Sequence, residues 1–231
     1  MNKSTHQLEA DMVQYRDLLK IPIRENHERF VYLDSNLIPN GYLNVFNDME
    51  KITGPRILVR KEVFNRLLKA QKSLTQENPK LTLFVTYGYR NLEIQIKRFM
   101  ELIQKNKRYF KDPVDLYEEI HRYVAVPTVA GHPAGGAIDI TIKEVSKDKF
   151  IDFGSQQYNY ITKKNYVFHP SISKVAKKNR SLLRKIMMNA GFAPFDGEWW
   201  HFSYGDREWA YYKKQKFAFY DQIMYKDIKI I

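Results

Sequence analysis

Two short segments of this chain carry residues whose types and spacing could do metal chemistry. The first is Ala130-Gly-His-Pro-Ala-Gly-Gly-Ala-Ile-Asp-Ile-Thr141, which offers His132 and Asp139. In an extended chain alternate residues share a face, so Ala137, Asp139 and Thr141 fall on one side and Ile138, Ile140 and Ile142 on the other. The isoleucines require a core, which leaves Asp139 to a cleft or to solvent. Gly135 and Gly136 permit a tight turn that could return His132 toward Asp139. The second segment is Gly197-Glu-Trp-Trp-His-Phe-Ser-Tyr204. Glu198 and His201 would share one face of a helix, but Glu198 to Tyr204 reads as an aromatic strand. If both residues serve one site, the chain must bend or bulge between them. The two tryptophans would exclude water and shape a pocket.

Each segment alone is commonplace. Taken together, two imidazoles and one carboxylate, with a fourth position open to water, make a catalytic rather than a structural zinc set. Such a site brings the pKa of its water to about 7. A carboxylate nearby that does not bind the metal, here Glu198, can accept that proton and pass it on. The chain has no cysteine, which excludes disulfides, thiolate metal sites and a cysteine nucleophile. Of its six histidines, His6 and His27 lie near the N-terminus, while His121 and His169 have no partner at ligand spacing. Surface or supporting roles suit those four.

These residues need elements to hold them. Helical periodicity runs from about Arg56 to Leu74, with Val63, Phe64, Leu67, Leu68 and Leu74 on one side, and stops at Asn78-Pro79. Leu81 to Val85 is a strand. Ile96, Phe99, Met100 and Ile103 form the apolar face of a second helix. A third runs from Ser173 to Ala190 with Gly191 as its stop, and Asp206 caps a closing helix over Trp209 to Lys214. Residues 1–53 read as an irregular arm with short extended pieces, packed on a domain formed by 54–231. Strands and helices interleave without enough βαβ units for a doubly wound sheet. The expectation is α+β: one compact domain with a small, mainly antiparallel sheet flanked by helices and the site in a cleft over the sheet.

Composition narrows the function classes. Of 231 residues, 44% are hydrophobic and 14% aromatic, ordinary for a globular core and too apolar for disorder. No apolar run approaches the roughly 20 residues of a membrane span, and the polar N-terminus lacks the apolar segment of a secretory signal; the expectation is a soluble, cytoplasmic protein with no membrane partner. The formal charge of +12 is spread in short clusters (Lys105, Lys107 and Arg108; Lys174, Lys177, Lys178 and Arg180) with no nucleic-acid motif. They read as solvated faces that favour small anionic substrates, not as a nucleic-acid track.

The joint pattern, His132-Pro-Ala-Gly135-Gly-Ala137-Ile-Asp139 followed by Glu198-Trp-Trp-His201, resembles the zinc D-alanyl-D-alanine dipeptidases of the vancomycin-resistance type. They belong to a wider family of D,D-carboxypeptidases and L-alanyl-D-glutamate peptidases. The likeness extends from about Gly54 to Tyr211. It implies one zinc per chain held by His132, Asp139 and His201, with Glu198 as general base and acid and a small peptide as substrate. It makes 54–231 a zinc peptidase catalytic domain, working in peptidoglycan peptide metabolism. An arginine that follows a tyrosine just past a strand would steady the oxyanion; here that is Arg90, with Tyr89 and Trp200 as candidate substrate contacts. Three positions depart from the pattern. Ala130, Tyr87 and Tyr158 stand where the dipeptidases carry a serine and two aspartates, so polar groups around the substrate are lost while the metal set and its base are intact. A carboxypeptidase or L-alanyl-D-glutamate peptidase, or a non-catalytic zinc module binding wall peptides, are the alternatives.

Overall fold

A computed structural model describes residues 3–43 and 47–231; residues 1, 2 and 44–46, all within the expected arm, lie outside it. The helices are α1 (Thr5–Ala10), α2 (Tyr15–Leu19), α3 (Glu50–Thr53), α4 (Lys61–Glu77), α5 (Leu92–Asn106), α6 (Pro113–His121), α7 (Lys174–Asn189) and α8 (Arg207–Tyr212). The strands are β1 (Phe30–Tyr32), β2 (Leu58–Arg60), β3 (Leu81–Tyr87), β4 (Ala137–Glu144), β5 (Lys149–Phe150), β6 (Ala193–Pro194) and β7 (His201–Ser203). The fold is α+β, with every strand pair antiparallel: β3, β4, β7 and β6 lie side by side, β5 adds to β4, and β1 pairs with β2 in a separate ribbon.

Strand β4 organises the molecule. Ile138, Ile140 and Ile142 are fully buried in the main core with Val63, Leu67, Ala70 and Leu74 of α4 and Leu183, Ile186 and Met187 of α7. Those two helices cover the rear of the sheet. Both end where the sequence stops them: Asn78 caps α4, Ser173 accepts from the Ala176 N–H to open α7, and Gly191 beyond its end has φ 97°. On the opposite side, Leu18 of α2, Phe99 and Ile103 of α5, and Leu116 and Ile120 of α6 form a smaller core that walls the site.

Several elements differ from the sequence reading. Residues 58–60 open the expected first helix as a strand, because β2 pairs with β1 in the register Phe30↔Arg60 to Tyr32↔Leu58, a long-range contact that helical periodicity does not register. On α5, Phe99 and Ile103 face inward, but Ile96 and Met100 are exposed and Gln95 takes the buried place. The N-terminal residues hold two short helices rather than only extended pieces. Helix α1 opens with a capping box of Ser4 and Gln7, while the backbone N–H groups of Tyr15 and Arg16 at the start of α2 donate to Glu118 of α6. No helix among the described residues is long and apolar enough to cross a membrane.

Candidate active site

Directly opposed pairs on β4 and β7 place the first two chemical groups. The register Ala137↔Ser203, Ile138↔Phe202, Asp139↔His201 puts Asp139 and His201 side by side on the face opposite the isoleucines, with His201 Nδ1 3.1 Å from Asp139 Oδ1. His132 arrives differently. It opens a short 3₁₀ turn (His132–Ala134) ended by Gly135 at φ 73°, the left-handed conformation glycine adopts without strain. The turn points the imidazole back at the strand, with Nε2 3.5 Å from Asp139 Oδ1. Its Nδ1 sits 2.7 Å from the Gly88 carbonyl; donating there leaves the Nε2 lone pair free for a ligand. Gly88 approaches because a Cβ at that position would lie 2.6 Å from the Leu58 carbonyl. A register shift between Val85 and Tyr87, opposite Asp139, is the kind of bulge that re-aims side chains beside a site.

Glu198 reaches the same cluster through a bend. The strand begins only at His201; Glu198 to Trp200 form a turn closed by Glu198 N–H to the Phe195 carbonyl (3.2 Å) and His201 N–H to the Glu198 carbonyl (3.2 Å). Residues three apart thereby share one site, and Glu198 Oε2 stands 3.8 Å from His201 Nδ1. Arg90 lines the same cavity. It is buried, donates from Nη1 to Gln95 (2.7 Å) and from Nε to the Tyr87 hydroxyl (3.2 Å), and is anchored by its own N–H to the His132 carbonyl.

Charge is crowded here. Burial opposes ionisation of Asp139, but His132 and His201 outweigh it and hold the carboxyl well below the usual range. Burial, aided by Asp139, pushes Glu198 up to about 7. It does the same to Glu208, with Asp206 and Glu198 adding to it. Burial lowers the His132 imidazole to about 4. At His201 burial is overridden by Glu208, Asp139 and Glu198, which drive the ring up to about 10. Glu208 Oε2 lies 3.7 Å from His201 Nε2, while its Oε1, like Asp206 Oδ2, is buried without a hydrogen-bond partner. Acidic groups without enough donors are what a cation relieves.

The donor set fits such a cation. His132, Asp139 and His201 are all buried, and one ligand atom from each lies within 4.8 Å of the others; among the described residues they are the one such group found. Two imidazoles and a carboxylate are suitable for zinc, and the outward nitrogens of both rings face acceptors that orient them, Gly88 and Glu208.

The remaining sequence candidates fall elsewhere. Tyr89 donates its hydroxyl to the Ile223 carbonyl and packs edge-on against Phe30. Trp200 is fully buried against Tyr158 and Tyr160. Neither lines the cavity. Sequence reasoning missed Gln95, Tyr160, Glu208 and His121, which do line it. His121 is buried with Nδ1 accepting the Val126 N–H, not on the surface. Of the three departures, Tyr158 donates to Asp139 Oδ2 (3.0 Å) and Tyr87 donates to Asp48 (2.6 Å), so two tyrosines have taken up carboxylates in place of supplying them. Ala130 is buried at the cavity edge.

A buried His-Asp-His set against the central strands of an antiparallel sheet, with a second carboxylate and a guanidinium in the same cavity, defines a hydrolase of the metallopeptidase class. Residues 42–222 match the peptidase family described as D-ala-D-ala dipeptidase, and the chain belongs to that family. A D-alanyl-D-alanine dipeptidase of Synechocystis is 27% identical over 90% of this chain and 94% of its own length. One from Enterococcus faecium is 27% identical over 64% of this chain and 73% of its own length. Among solved structures, the LdcB LD-carboxypeptidase overlays loosely, with a TM-score of 0.45 at 17% identity, covering 89% of this chain and 82% of that one.

Proposed function

We propose that this protein is a zinc-dependent dipeptidase that hydrolyses D-alanyl-D-alanine or a closely similar D-amino-acid dipeptide from cell-wall peptide metabolism. The observation that carries this reading is the convergence of His132, Asp139 and His201 on a cavity shared with Glu198 and Arg90. Zinc held by the three, one ion per chain, would acidify a water and polarise the scissile carbonyl. Glu198, raised to about 7 by burial, is poised near neutrality to take a proton from the attacking water and return it to the leaving amine. Arg90, fixed by Gln95 and Tyr87, presents a pre-set positive charge to the oxyanion of the tetrahedral intermediate. A binding module would have no use for a base at Glu198.

The test is amine release from D-Ala-D-Ala, L-Ala-D-Glu and L,L-dipeptides by the zinc-loaded protein. Cleavage of D-Ala-D-Ala, abolished by Glu198→Ala, is the expected result. Cleavage of another member alone would keep the chemistry and move the substrate; undiminished turnover by Glu198→Ala would overturn the mechanism.

A further inference from the structure

The irregular segment 151–173 between β5 and α7 carries two tyrosines into the site. Tyr158 reaches Asp139, as described. Two residues on, Tyr160 donates its hydroxyl to Glu198 Oε1 at 2.5 Å. That contact occupies one oxygen of the carboxylate and leaves Oε2 as the oxygen nearer His201. The phenol ring is fixed edge-on between Tyr123 of the α6 end (5.8 Å) and Trp200 (6.0 Å).

The segment itself is held firmly. Buried Arg180 donates to the carbonyls of Phe153 (2.8 Å), Tyr166 (2.5 Å) and Lys164 (2.6 Å). Asn165 donates to the Gly197 carbonyl (2.7 Å) and accepts the Trp199 N–H (3.0 Å), clamping both neighbours of Glu198. From the other side Glu9 of α1 accepts from Lys163 (2.6 Å) and Tyr166 (2.7 Å). Tyr158 and Lys163, flanking Tyr160, have φ of 63° and 53°, a left-handed conformation that non-glycine residues keep only where surrounding contacts impose it.

We infer that Tyr160 is a positioning residue for the base, holding one oxygen of Glu198 so that the other faces the reacting water, and that Glu9 of the N-terminal segment pins the loop that delivers it. The inference rests on the reading of Glu198 as base. A phenol hydroxyl is protonated at neutral pH and donates to a carboxylate through a charge-assisted bond. Without it, Glu198 is free to turn toward His201 or Arg90, and small misplacements of a reacting group are costly in rate.

The experiment compares wild type, Tyr160→Phe, Glu9→Gln, the double variant and Glu198→Ala on D-Ala-D-Ala, with zinc affinity measured by competition against a chelating dye. Tyr160→Phe keeps the ring and removes only the hydroxyl. Its kcat should fall about 10- to 100-fold, with KM, zinc affinity and Tm essentially unchanged. Glu9→Gln should lower kcat about threefold in the wild-type background and not at all in the Tyr160→Phe background, as coupled residues do. A Tyr160→Phe enzyme with wild-type kcat would overturn the inference. So would a joint fall of kcat, zinc affinity and Tm, which marks a tyrosine that merely holds the loop. Equal losses from Glu9→Gln in both backgrounds would sever the N-terminal helix from the base. An inactive wild type, or an active Glu198→Ala, would instead mark failure of the underlying mechanism.

Discussion

Strand β4 has two buried faces that make opposite demands on their surroundings. To the rear, Ile138, Ile140 and Ile142 pack in one apolar cluster with side chains of α4, α7 and the neighbouring strands, and each such contact is favourable by itself. To the front, Asp139 meets two imidazoles, a tyrosine and, across the cavity, Glu198 and Arg90. That face buries charge: partners outweigh the desolvation of Asp139 and His201, while burial pushes Glu198 and His132 toward their neutral forms. The rear holds the sheet together; the front is a set of groups whose ionisation is shifted by the neighbours that this rigid frame imposes. The same eight-residue strand thus separates stability from chemistry by side-chain parity alone.

That separation can be broken by substitution. Glu198→Ala on the front should cut turnover about 10³-fold while leaving Tm unchanged or slightly raised, since it deletes a carboxylate that burial disfavours; steady-state rates and a thermal melt read both. Ile140→Ala on the rear should do the converse, costing about 2–5 kcal/mol of stability with kcat per folded molecule retained, as measured by denaturant unfolding beside activity. A Glu198→Ala protein that melts far below wild type, or a stable Ile140→Ala protein that is inactive, would show the faces to be coupled.

The rear was largely legible in the sequence, because 3.6-residue and two-residue periodicities are local. Leu67 and Leu74 on α4 and the β4 isoleucines fall where their spacing places them. On the front, the His132, Asp139, Glu198 and His201 set was visible only when the two segments were read together, as a joint pattern resembling a known family, since each alone is commonplace. The side chains that orient them were not. Tyr160 lies in a loop without periodicity, Gln95 occupies a helix face that the apolar pattern assigned to Ile96 and Met100, and Glu208 acts from a helix beyond the motif. Their roles depend on tertiary contacts, which leave no local signature. The short helix α2 is hidden for the same reason, being held by Glu118 a hundred residues away in sequence, whereas α1 carried a local signal, its Ser4–Gln7 capping box, that the sequence reading passed over.

A milder perturbation sharpens the contrast. Removing the metal with a chelator should lower Tm, by an amount that grows with the zinc concentration it started from, because a cation held there would balance Asp139, Glu198 and Glu208. The chelated Ile140→Ala protein should lose as much as the chelated wild type if the two faces act independently; because Ile140 adjoins the ligand Asp139 on β4, a departure from additivity would measure their coupling. Differential scanning calorimetry with and without chelator measures this.

The smallest effect concerns pH. Burial lowers the His121 imidazole in the cleft wall from 6.5 to about 4. Between those values the unfolded chain binds a proton that the folded one refuses. Its contribution is therefore complete above about pH 6.5 and is lost as pH falls toward 4, by up to about 3 kcal/mol. His121→Asn, whose side-chain oxygen can still accept the Val126 N–H, should flatten this acid limb in urea titrations at stepped pH. Ile140→Ala should shift the whole curve without changing its shape. An unchanged limb in His121→Asn would place the titration elsewhere.

The most direct test is a zinc titration of chelator-stripped protein, followed by D-Ala-D-Ala hydrolysis and by metal uptake in the same samples. Activity should rise linearly to one zinc per chain and then stay flat, while Glu198→Ala takes up the same single zinc and remains inactive. Full activity in the stripped protein, or zinc uptake that persists when His132 and His201 are both replaced by alanine, would contradict the account.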